Sequence, residues 1–69
     1  METTVVCSFE LRGRRVSLVK DLDNLYSVTV EQPGHARRLA VRDGSLVVAS
    51  ERYDQCVLAV RAIAGERVA

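Results

Sequence analysis

Residues 42–56, "RDGSLVVASERYDQC", decide the fold, because two readings compete inside them. Asp43-Gly44, set between apolar stretches, is the strongest local hairpin signal in the chain. Read that way, Ser45 to Ala49 returns as a fifth strand beside a fourth over Arg38 to Arg42, with Leu39 and Val41 inward. The period then changes at Ser50. Serine is a good N-cap, and Glu51 places a negative charge in the first turn, where it favours the helix dipole. From 51 to 64, Tyr53, Cys56, Val57, Val60, Ile63 and Ala64 recur at spacings of three and four, the stripe of an amphipathic helix. Gly65 suits the C′ position that ends a helix. Leu58 lies off the stripe and calls for cover by a partner or a loop.

Toward the N-terminus the period is two. Val5, Cys7, Phe9 and Leu11 alternate with Thr4, Val6, Ser8 and Glu10, which predicts a half-buried strand over Thr4 to Leu11. Arg12-Gly13 is the turn, and a second strand runs from about Arg14 to Lys20. Asp21, Asp23 and Asn24 bond their own backbone in a second turn. A third strand follows from about Leu25 to Gln32, with Tyr26, Val28 and Val30 on one face. Gln32-Pro33-Gly34-His35 reads as a type II turn.

The chain therefore predicts one small α+β domain over residues 1–69: an antiparallel meander of about five strands, with one C-terminal helix packed on one face. The helix stripe needs an apolar receiver. Val5, Cys7, Phe9, Leu11, Tyr26, Val28 and Val30 provide it. The opposite face then carries Val6, Ser8, Ser17, Val19, Ser27 and Thr29, with Ala40 and Val47.

Sixty-nine residues sit near the lower size limit for an independent core, and 48% of them are hydrophobic while aromatics make up 4%. A small aliphatic chain of this kind commonly buries a second apolar surface in an oligomer, so a homodimer is expected. Val6, Val19, Val47 and Leu58 are the candidate protein interface. The start, "METTVVCSFEL", has no basic leader before a long apolar run, and no apolar run approaches the ~20 residues of a membrane span. A cytoplasmic location without membrane attachment is the expectation.

Site chemistry is sparse. Cys7, His35 and Cys56 lack the spacing of a zinc site, so no metal is expected. Both cysteines sit on inward faces, where cysteine acts as a small hydrophobe. The lone His35 has no nucleophile and orienting group fixed beside it, and no catalytic residue or cofactor is predicted. Asp21 and Asp23 read as turn formers rather than a cation loop. The isolated glycines make no phosphate cradle.

The best polar constellation is arginine. Arg12, Arg14 and Arg15 cluster at the first hairpin, and Arg37, Arg38 and Arg42 around the fourth strand. In a meander the first and third connections share one sheet end, which brings Arg37 and Arg38 beside Arg12, Arg14 and Arg15 in one patch of about five guanidiniums, fit for phosphates or for an acidic partner. The net charge of +1, the nearby Glu10 and Glu31, and the lack of exposed aromatics weigh against nucleic acid. The leading expectation is a non-enzymatic interaction or regulatory domain, dimeric, that uses the second sheet face or an edge strand. The alternative is a nucleic-acid-binding module acting through the arginine-bearing hairpins.

Overall fold

A computed structural model describes residues 3–65. Four strands come first: β1 (Thr4–Leu11), β2 (Arg14–Lys20), β3 (Tyr26–Glu31) and β4 (Arg38–Asp43). They form one antiparallel sheet in the order β1-β2-β3-β4, a meander. One helix, α1 (Leu46–Ile63), follows and packs over β2, β3 and β4, with a lighter contact to β1. The α+β class, the meander and the C-terminal helix agree with the sequence pattern. The sheet has four strands rather than about five.

The difference lies at Asp43-Gly44-Ser45. A tight two-residue hairpin needs positive φ at its centre. Arg12 (φ 53) and Gly13 (φ 81) supply that between β1 and β2, whereas Gly44 stays out of the left-handed region. Instead, the Ser45 N–H donates to Asp43 Oδ1 at 2.7 Å, and Ser45 takes extended backbone angles as the N-cap of α1. Its hydroxyl accepts from the Val48 N–H at 3.4 Å. The segment read as a fifth strand is the first turn of the helix. Ser50 is thus an interior helical residue, and Glu51 lies beyond a first turn that carries no acid. The helix closes as expected: the Ala64 N–H reaches Val60 O, and Gly65 takes φ 74.

Tertiary packing explains why the helix wins. Starting at Leu46 brings Ala49 into the stripe with Tyr53, Cys56, Val57, Val60 and Ala64, at spacings of three and four. Ala49 and Val60 are buried, and with Val16, Leu18 and Val28 they form the centre of the core. Cys7, Phe9, Leu11, Tyr26, Val30, Ala40 and Val41 pack around it. Ile63, expected in the stripe, is exposed.

Two irregularities in the sheet re-aim side chains. The β1–β2 register slips between Val5 and Cys7, so Val6 is the extra residue. Cys7, Phe9 and Leu11 remain on the helix side, opposite Leu18, Val16 and Arg14. Val5 pairs with Val19 and is exposed. A second slip lies in β4, where Val41 pairs with Val28 but Leu39 pairs with Thr29, so Ala40 is the extra residue. Ala40 therefore packs on the core, and Leu39 is exposed rather than inward. A one-residue offset exchanges the two faces of a strand, and each slip does so for part of its strand.

Candidate functional site

The turns set the polarity of the molecule. The Arg12-Gly13 turn and the β3–β4 connection meet at one sheet end. A Cβ built on Gly13 would lie 3.2 Å from Pro33 Cγ. The Gln32–His35 turn is closed by the His35 N–H to Gln32 O at 3.2 Å, with Gly34 at φ 76. At the opposite end the Asp21–Leu25 turn faces the β4–α1 junction, as the pairing of Tyr26 with Asp43 requires.

The six arginines singled out from the sequence divide between these ends. Arg12 and Arg14 flank the first turn, and Arg37 and Arg38 stand where the connection enters β4. None of these four ion-pairs with another described residue within 4.0 Å, and Arg14 Nε is buried without a hydrogen-bond partner. Arg15, at the same end, bonds Glu10 Oε1 at 3.0 Å. That hydrogen bond, together with the charges of Glu10 and Glu31, raises its pKa further.

Arg42 belongs to the far end. Its Nε and Nη2 reach Asp21 Oδ2 at 3.0 and 2.9 Å, and Nη2 reaches Asp23 Oδ2 at 3.2 Å. Asp21 Oδ1 accepts from the N–H groups of Asp23 and Leu25 at 2.9 and 3.2 Å. Desolvation opposes ionisation of Asp21, but the Arg42 guanidinium and the two backbone N–H groups outweigh it and lower its pKa. Asp21 and Asp23 thus act as the turn formers expected of them, and they pair with Arg42, which its register opposite Ser27 places at this end.

The candidate interface residues do not share one surface. Val19 lies on the open sheet face with Val5, beside a shallow groove of about 350 Å³ that Arg15, Glu31 and Arg37 also line. Val6 is at the bulge on the β1 edge. Val47 and Leu58 are on the outward side of α1, 68% and 64% exposed. Leu46 and Val48 add to the apolar surface at its first turn.

A second groove, of about 270 Å³, runs between the flank of α1 and β4, with Val30 of β3 and the following Gln32 also lining it. Nothing in the sequence pattern marked it, since it depends on the helix start and on the bulge at Ala40. Cys7 and Cys56 are free thiols packed against the core. Burial, with Cys7 close by, pushes the Tyr53 phenol up to about 12. Among the described residues, no group of three or more His, Cys, Asp or Glu is placed to hold a metal ion. No described helix is long and apolar enough to cross a membrane. No family model, no curated protein and no solved structure matches this chain.

Proposed function

We propose that this chain is a cytoplasmic, non-enzymatic interaction domain that assembles as a homodimer through the outward side of α1. The observation that carries the reading is the apolar surface of Leu46, Val47, Val48 and Leu58, left exposed on a helix whose inner stripe is already satisfied. A surface helix normally turns charged residues outward. Here Val47 and Leu58 fall on nearly the same line of the helix, three turns apart. Glu51 and Asp54 flank that line in its first half, while Arg61, in its second, stacks over the Phe9 ring at 5.4 Å. An antiparallel contact between two copies brings Val47 of each against Leu58 of the other, the reciprocal pairing that a two-fold interface requires. Sedimentation equilibrium tests it: the mass should be twice 7.6 kDa, and Leu58→Lys should return it to the single-chain value. A single-chain mass for the unaltered protein at millimolar concentration would overturn it.

A second reading rests on the four arginines at one end that lack a carboxylate partner among the described residues. They suit phosphate oxygens of a nucleic acid, contacted without base stacking, because Phe9, Tyr26 and Tyr53 pack against the core. Binding of a labelled single strand should then weaken with salt, and joint change of Arg12, Arg14, Arg37 and Arg38 to Ala should remove it. Salt-independent binding, or binding that survives the four changes, would sink this reading.

A further inference from the structure

We infer that the groove between α1 and β4 takes an extended acidic–apolar peptide, which adds to the sheet as a fifth strand. This surface is separate from the outward line of α1, and the inference stands whether or not the chain dimerises.

β4 is the terminal strand, so its outer N–H and C=O groups have no strand partner among the described residues. Such an edge is a template for an added strand about 4.8 Å away. Most folded domains cover their edges or blunt them with charge. Here the edge is bordered by a groove of about 270 Å³. Along α1, Arg52, Cys56, Ala59 and Ile63 recur at i, i+4, i+7 and i+11, a single line that walls the groove. Ile63 is left exposed at its end. Ala40, turned to the core side by the bulge, contributes from the sheet.

An added strand sends alternate side chains to one face. Apolar side chains at those positions meet Ala40, Ala59 and Ile63. The charges of the groove choose the rest of the sequence. Arg38 and Arg52 line it and no Asp or Glu does; Glu51 stands further along α1, in the groove that continues beside Ala40 and Val41. Arg52 bonds only the neutral Gln55 Oε1, at 3.2 Å, and Arg38 has no carboxylate partner among the described residues. Carboxylates at other positions on that same face complete both guanidiniums, while lysines there are repelled by them. The bulge interrupts the regular spacing of β4, which favours a short segment over a long indiscriminate pairing. Main-chain bonds supply affinity and the side-chain positions supply selection, the division of labour in strand-addition recognition generally.

The test is an amide NMR titration of the labelled full chain with two blocked hexapeptides in which every second residue is threonine: the other three positions, which share one face, are glutamate, valine and glutamate in one peptide and lysine, valine and lysine in the other. The acidic peptide should give saturable shifts centred on residues 38–43 and 52–63, and the lysine peptide none there. Arg38→Glu should weaken the acidic peptide about tenfold, the loss of one charge-assisted contact. Ala59→Glu, on the exposed wall, should do the same with an unchanged melting temperature. Four outcomes overturn the inference. They are no saturable shift at millimolar peptide, an equal response to both peptides, shifts centred on Arg12 and Arg37, or concentration-dependent shifts at 38–43 without peptide. The last would mean that a second copy holds the edge.

Discussion

Ser45 and Ser50 are chemically identical, five residues apart, and only one of them caps a helix. A cap needs extended backbone just before the first helical turn and a free N–H within reach of its oxygen. Ser45 has both, with Asp43 Oδ1 holding its own N–H. Ser45→Ala should therefore lower unfolding free energy by about 1 kcal/mol, read from the urea midpoint. Ser50→Ala should be neutral or slightly stabilising, because alanine is the better interior helical residue. The reverse ranking would place the helix start at Ser50. Asp21 gives a second residue-scale prediction. Its folded pKa lies below the unfolded value, so its contribution is present above the ordinary carboxylate range and lost as pH falls through the folded value. Asp21→Asn should remove that part of the acid dependence, and its stability profile should be flatter than the parent's below about pH 4. Parallel profiles for the two proteins would discount the Arg42 pairing.

At the scale of elements, the bulges at Val6 and Ala40 carry most of what strict alternation misses. Val5 and Leu39 each belong by pattern to the helix side, and each lies on the other face, exposed. Leu39→Lys should change stability by no more than about 0.5 kcal/mol, as at an ordinary surface position. Val28→Lys buries a charge at a site with no accessible surface and should abolish cooperative unfolding. Denaturant unfolding of the two variants checks both statements. A Leu39 variant as damaged as the Val28 variant would mean that β4 has no bulge in solution. The same slip brings Ala40 to the core and helps shape the groove beside β4, so a local register change has a functional consequence.

For the whole molecule, the governing fact is thinness. The principal extents are 40 × 25 × 15 Å, one sheet and one helix deep. The accessible surface is 4929 Å², where a folded chain of 7.6 kDa averages roughly 4,300 Å². The fully buried core comes down to a few aliphatic residues. A molecule with so much uncovered surface gains stability from any partner that binds only its folded form. If the partner is a second copy, the melting temperature should rise with protein concentration, and Leu58→Lys should remove that rise. A melting temperature independent of concentration across the dimerisation range would count against assembly through α1.

The sequence by itself determined the class: four strands, the fourth read over Arg38 to Arg42 and found at Arg38–Asp43, the turns at Arg12-Gly13, Asp21–Asn24 and Pro33-Gly34, and a C-terminal helix by its stripe. These signals are local, written in residues a few positions apart, and the backbone obeys them where nothing distant competes. It also predicted that the first and third connections share one end, which follows from strand order alone. Tertiary structure decided the rest. Asp43-Gly44-Ser45 supports either a hairpin or a capped helix, and the choice fell to the burial of Ala49 and the continuity of its stripe over β2, β3 and β4. Arg42 stands at the far end by its place in β4, opposite Ser27, and only there do Asp21 and Asp23, some twenty residues earlier in the chain, come within reach of it. The groove beside β4 exists only where a helix flank and a bulged strand edge meet, and no single stretch of sequence contains both.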